Sequence, residues 1–140
     1  NLAPIEPRAA ITVDSLGPTA AHITAGDRLL LRTDWYRRYG TVAYRNELPR
    51  ISLDLARWLV ERQVALVGVE PPSVADVNNL RELTDVHHIL LSGNVVIVEG
   101  LAHLDQLRVE TVEFMALPLK VADGDGSPAR AVAIEESTRE

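Results

Sequence analysis

Apolar residues along the chain fall into short runs separated by turn-forming clusters, without any long amphipathic repeat. Arg28-Leu29-Leu30-Leu31-Arg32-Thr33 follows the turn Ala25-Gly26-Asp27 and is too short for a typical helix, so it predicts a buried strand. The preceding stretch from Ile11 to Ile23 has room for one or two short elements. Between Arg37 and Arg50 aromatics are interleaved with Arg, Asn, Gly and Pro49, which predicts a surface excursion. After Pro49 the period becomes helical. Ser52 is placed to cap, Leu53, Ala56, Leu59 and Val60 share a face, and Asp54 lies near the end of the helix that favours negative charge. Val64 to Val69 is continuously apolar and rich in β-branched residues, the pattern of a strand covered on both faces.

Pro71-Pro72-Ser73 closes that strand, and Asp76 to Glu82 has no period that decides between a loop and a helical turn. Thr84 or Asp85 can cap a short helix whose inner face collects Leu83, Val86, His87, Leu90 and Leu91, with Gly93 as a left-handed terminator. Val95 to Glu99 reads as a strand, and Val112 to Leu119 and Ala131 to Ile134 flank a Gly- and Asp-rich loop. This order of elements predicts an α/β layer. Residues 1–134 read as one domain and residues 135–140 as a mobile tail.

Composition narrows the picture. A chain of 140 residues, 46% of them hydrophobic, can bury roughly two thirds of its unfolded surface around one core. A net charge of −6, with 14 Lys and Arg scattered along the chain, offers no positive field for phosphates, so nucleic acid is excluded as a partner. Without Cys there is no disulfide, thiolate nucleophile or Cys-rich zinc site, and any metal must be held by His and carboxylates. No apolar run approaches a membrane span and no basic start precedes an apolar stretch, so the expectation is a cytoplasmic protein with no membrane partner. The chain starts at Asn1 in a Pro-broken stretch that reads as a connector, which suggests a cleaved or truncated product.

Two residues stand out chemically. On its helix His87 shares a face with Leu83 and Leu90, so its ring points inward, where an unpaired imidazole nitrogen is costly. Glu99 alternates with Val95 and Ile97, so it shares their side of the strand and needs a cation or a proton. Convergence of the two on one metal ion is sterically reasonable. By spacing alone the pattern fits better a core histidine bonded to a backbone carbonyl and a Glu99 paired with Arg108 or Arg130. His88 lies about 100° round the helix and faces solvent, and His22 and His103 read as structural. Asp123 and Asp125 lack the remaining ligands of a calcium loop, Gly124 and Gly126 lack a dinucleotide setting, and no Ser stands in a G-x-S-x-G elbow.

The string His87-His88-Ile89-Leu90-Leu91, with Val95 to Leu101 and Leu104-Asp105, resembles the "H-x-x-L-L … I-x-x-E-N-L-x-x-L" stretch of the cyclase and kynurenine formamidase family of metal-dependent hydrolases. Gly26 to Trp35 resembles its "G-D-x-V-L-L-R-T-G-W". Leu59 to Arg62, Leu66 to Glu70 and Pro72-Ser73 resemble "L-V-E-R-G … L-V-G-I-D" and "P-S". Ala116 to Lys120 and Asp125 to Arg130 are similar to "A-L-P-L-K … D-G-S-P-x-R".

The resemblance implies a fold, the swivelling β/β/α domain of that family represented by its C-terminal portion. It implies an activity, hydrolysis of an amide or cyclic amide or ester by metal-activated water. It also implies His87 and Glu99 as ligands of a divalent metal, Zn²⁺ or Mn²⁺. The family's "H-x-G-T-H-x-D-x-P-x-H" signature has no counterpart in these residues. An N-terminal half of the family domain, or a companion chain, is therefore the expected partner, in a homo- or hetero-oligomer acting on a small amide or lactone. Gly100 and Glu70 stand where the family has Asn and Asp. Trp35 is the candidate substrate contact, and a further reading is a small-ligand binding module with Trp35 and Tyr36 as its lid. The alternative is a non-catalytic subunit that keeps the fold for assembly.

Overall fold

The computed structural model describes residues 1–135; residues 136–140, most of the expected tail, lie outside the described residues. The chain forms β1 (Ala10–Ile11), a short 3-10 segment over Asp14–His22, β2 (Arg28–Leu31), a 3-10 turn at Trp35–Arg38, α1 (Val42–Asn46) and β3 (Arg50–Ile51). It continues with α2 (Leu53–Glu61), β4 (Leu66–Val69), α3 (Leu80–Ser92), β5 (Val96–Val98), β6 (Glu113–Pro118) and β7 (Ala129–Ile134).

β2, β4 and β5 make a parallel sheet with β4 in the middle, in the register Leu29 to Val67 to Ile97. Its central position explains why every residue of β4 is buried. α2 begins where Ser52 accepts the N–H of Leu55, and it turns Leu55, Ala56 and Leu59 inward. α3 presents Val86 and Leu90 to the same core cluster that holds Val67, Val69 and Leu31. The two helices pack closely at Gly93, where an added β-carbon would come within 2.4 Å of a Val60 methyl.

Four expectations change. The excursion after Trp35 is exposed but not irregular, since it holds the 3-10 turn and α1, capped by Thr41 on the N–H of Tyr44. α3 starts four or five residues before the expected caps. Asn79 accepts the N–H of Glu82, and the first turn carries exposed Leu80 and Arg81 and a half-buried Glu82 paired with Arg50, and so shows no apolar period. Gly93 is not the left-handed residue, its φ being −82°; Asn94 takes that role with φ of 59°. Leu91, expected on the inner face, is exposed.

The chain divides into two compact units, Asn1–Leu104 and the residues from Asp105 onward, where the sequence suggested one domain to residue 134. The second unit is an antiparallel hairpin of β6 and β7, paired from Glu113 opposite Ile134 to Pro118 opposite Ala129. Leu117, Val132 and Ile134 on its strands are exposed.

Candidate functional site

In a parallel sheet the strand C-termini end together and leave a crevice beyond them. Here the segments that follow β2, β4 and β5 carry every chemically distinctive residue of the first unit. Glu99 is the first residue after β5, and the N–H of Val74, in the segment after β4, donates to its Oε1 at 2.9 Å. His87 sits in α3 one turn beyond Leu83, whose carbonyl oxygen lies 2.8 Å from His87 Nδ1. A carbonyl only accepts, so Nδ1 carries the hydrogen and Nε2 is left to face Glu99 Oε1, 3.3 Å away. A hydrogen bond donated by the protonated ring to Glu99 raises the His87 pKa above its ordinary 6.5; burial opposes it, and the Leu83 carbonyl and the Glu99 charge add to it. The two readings left open by the sequence thus meet at one residue: His87 has both a backbone carbonyl and Glu99.

Behind this pair lies a buried anchor. Glu70, directly after β4, is fully buried, and its Oε2 accepts from Thr33 N–H at 2.7 Å, Thr33 Oγ1 at 2.9 Å and Trp35 N–H at 3.2 Å. Its Oε1 has no hydrogen-bond partner. These bonds hold a turn in which Asp34 adopts φ of 57°, a left-handed value tolerated by Asp better than by most residues. Asp34 in turn takes Arg32 at 2.7 and 3.2 Å, and that guanidinium lowers its carboxyl pKa.

The turn determines where the aromatics go. Trp35, the candidate substrate contact, is only 2% exposed, and its indole N–H donates to Tyr44 O at 2.9 Å. It therefore props the Tyr44 segment from inside instead of meeting a ligand, and Arg38 covers its ring at 4.5 Å. The neighbouring Tyr36 faces outward with Tyr39 and Tyr44 onto a cleft of about 510 Å³, bounded elsewhere by Pro72, Glu99 and His103. Tyr36 meets His103 edge-on at 4.8 Å and Tyr39 meets Tyr44 edge-on at 5.5 Å. Tyr44 donates its hydroxyl proton to Glu70 O at 3.1 Å. Its pKa is raised, first by burial and then by Tyr39, Glu70 and Glu99, so the phenol stays neutral.

Sequence reasoning marked Glu70 only as a departure from the family's Asp and missed Tyr44 and His103 as parts of this region. The signal for Glu70 was available, because a charged residue at the C-terminus of a strand covered on both faces sits at the natural site of an open α/β sheet. His103 was read as structural and lies exposed on the cleft wall with φ of 62°. His22 ends the first 3-10 segment in an exposed position away from the cleft.

The residue pair suits a divalent metal in one respect and falls short in another. Two ligands about 2.1 Å from a tetrahedral ion are about 3.4 Å apart, close to the 3.3 Å between His87 Nε2 and Glu99 Oε1. A backbone carbonyl on Nδ1 is also how a ligating imidazole is commonly oriented. Yet among the described residues no group of three or more His, Asp or Glu could hold a metal. The described residues offer a pair, not a full set.

The family model described as "Putative cyclase" matches residues 3–76, more than half of the chain. The chain belongs to the cyclase family. Kynurenine formamidase of Bacillus anthracis is 36% identical over 111 residues, covering 79% of this chain and 51% of that protein. The Bacillus cereus kynurenine formamidase is 37% identical over 106 residues, 76% of this chain and 48% of the relative. The chain spans about half the length of these relatives. Among solved structures, isatin hydrolase A from Labrenzia aggregata bound to benzyl benzoate superposes with a TM-score of 0.77 at 27% identity, covering 91% of this chain and 54% of that one. A potential metal-dependent hydrolase with cyclase activity superposes with a TM-score of 0.67 at 28% identity, over 90% and 58% of the two chains. The α/β fold is thus that of cyclase-family hydrolases. Among the described residues no helix is long and apolar enough to cross a membrane.

Proposed function

We propose that this chain supplies part of the metal site and one wall of the substrate cleft of a hydrolase acting on an amide, cyclic amide or ester. The observation that carries the reading is the approach of His87 Nε2 to Glu99 Oε1 at 3.3 Å on the rim of an aromatic cleft. The names of the relatives support the same class, hydrolases called metal-dependent, kynurenine formamidase or isatin hydrolase. The metal would be Zn²⁺ or Mn²⁺. When bound, such an ion lowers the pKa of water and polarises a carbonyl.

This chain's own contribution is positional. The Leu83 carbonyl fixes the His87 tautomer and the Val74 N–H fixes the Glu99 carboxylate, so neither ligand needs to reorganise. Protonation of His87 competes with metal binding, and the Glu99 contact that raises its pKa strengthens that competition in the metal-free chain. The remaining ligands come from outside these residues, from the other half of the family domain or from a companion chain in a homo- or hetero-oligomer.

The test is calorimetric titration of Zn²⁺ and Mn²⁺ into the chain alone and into the chain joined by a family segment bearing the His-rich motif, followed by an arylformamide hydrolysis assay. The chain alone should bind weakly and hydrolyse nothing, and completion should restore both. Tight stoichiometric binding by the 140 residues alone would refute the divided site. Completion without metal uptake would favour the second reading, a non-catalytic subunit, which draws its support from the shortage of ligands among the described residues.

A further inference from the structure

Glu70 lies where three parts of the first unit meet. Its Oε2 accepts the N–H groups of Thr33 and Trp35 and the Thr33 hydroxyl, which fixes the turn after β2. The Trp35 indole N–H donates to Tyr44 O, and the Tyr44 hydroxyl donates back to Glu70 O, at 2.9 and 3.1 Å. The circuit closes on the residue where it began. The residues on either side of Glu70 are tied to the segment after β5, since Leu101 N–H donates to Val69 O and Gly100 N–H to Pro71 O, each at 2.9 Å. A little further on, Val74 N–H holds the Glu99 carboxylate. One residue thus joins the aromatic wall, through Tyr44, to the strand end that carries Glu99.

Stability alone accounts poorly for this carboxylate. Glu70 is fully buried, and its Oε1 finds no hydrogen-bond partner among the described residues. A buried polar atom left unpaired costs free energy that a well-packed apolar side chain does not. All three donors converge on the one oxygen that faces the turn, the arrangement of a group that places its neighbours at a cost to the fold. We propose that Glu70 is a positioning residue, which through the Trp35–Tyr44 circuit holds the aromatic wall in register with Glu99 for the reaction in the cleft. The link to a reaction rests on the hydrolase reading, whereas the circuit does not.

The test compares wild type with three variants. Glu70→Gln keeps an acceptor oxygen at the same reach, Glu70→Met keeps the length and offers no such acceptor, and Thr33→Val is a milder break should the Met variant fail to fold. Ser52→Ala, outside the cleft lining, controls for lost stability. In the 140-residue chain the NMR signal of the Trp35 indole N–H reports the bond to Tyr44, with Trp58 as internal reference. It should stay in place in Glu70→Gln and Ser52→Ala and move in Glu70→Met, with Thr33→Val between. In the completed domain, kcat for an arylformamide should fall about tenfold to a hundredfold in Glu70→Met with KM within about threefold, the scale set by misplacements of about 1 Å. Glu70→Gln and Ser52→Ala should keep kcat within about threefold of wild type. A Trp35 signal unmoved by both Glu70→Met and Thr33→Val, a signal moved as far by Ser52→Ala, or a displaced signal with unchanged kcat would each overturn the proposal. A completed wild-type domain that hydrolyses nothing would sink the hydrolase reading, and the Trp35 signal would then decide the positioning role by itself.

Discussion

Replacing Glu70 by Ala tests whether the anchor behind the cleft is held as its hydrogen bonds suggest. The substitution removes the acceptor of Thr33 N–H, Thr33 Oγ1 and Trp35 N–H, all on residues no more than 3% exposed. The Trp35 N–H keeps a weak alternative in Thr33 Oγ1 at 3.4 Å, and the Thr33 hydroxyl can rotate, so the Thr33 amide suffers most. At about 1–3 kcal/mol for each stranded buried donor, plus a term for the cavity, the loss should be about 3–5 kcal/mol. That is a large fraction of the 5–15 kcal/mol expected of a small domain in total. Urea unfolding followed by fluorescence of Trp35 and Trp58 is the assay. With a slope of about 1.5 kcal/mol/M, the midpoint should fall by about 2–3 M. Glu70→Gln keeps an acceptor oxygen and nearly the same volume, and should lose less than half as much. The reasoning fails if the Ala variant shifts the midpoint by less than about 0.5 M, or if Gln is as damaging as Ala.

Other parts of the fold give sharper but smaller expectations. In the metal-free chain the raised His87 pKa makes its pair with Glu99 fully stabilising below about pH 6.5, with that stability lost as pH rises through the folded value. The urea midpoint should therefore decline as pH rises above about 6.5, and Glu99→Gln should flatten that decline; an unchanged slope would remove the pair from the account. Gly93→Ala drives a β-carbon into the stiff Val60 side chain and should cost about 1–3 kcal/mol, read as a lower thermal midpoint. Ser52→Ala removes the cap on Leu55 N–H and should cost about 1 kcal/mol by the same measurement.

Elements whose burial follows one simple period could be read from the sequence. β4 is apolar throughout because both its faces are covered, and α2 declares itself through Ser52 and its inward stripe. The start of α3 was hidden because its first turn points to solvent, so only the capping pair Asn79 and Glu82 marked it. Gly93 was misread because its role is steric: it yields space to Val60, and it needs no special φ. At the site, resemblance named His87 and Glu99 where spacing alone left alternatives open. Trp35 was taken for a surface aromatic because no periodicity reveals that its indole N–H is bonded inward to the Tyr44 carbonyl. Glu70, Tyr44 and Tyr36 come together only through the sheet, which aligns the ends of strands nearly 40 residues apart in sequence.

The hairpin of β6 and β7 carries a different kind of consequence, one of timescale. None of the described residues from Asp105 to Glu135 is fully buried, and a ribbon of two strands is marginal in water without a covered face. Its cross-strand amides should exchange with deuterium far faster than those of β4, whose residues are all buried between its two sheet neighbours. The outer edges of the ribbon, softened only where Pro118 lacks an N–H, are also the surfaces on which purified chains would meet one another. Storage life and tolerance of concentration should therefore follow the hairpin, and a change of exposed Leu117 or Val132 to a charged residue should lengthen storage life.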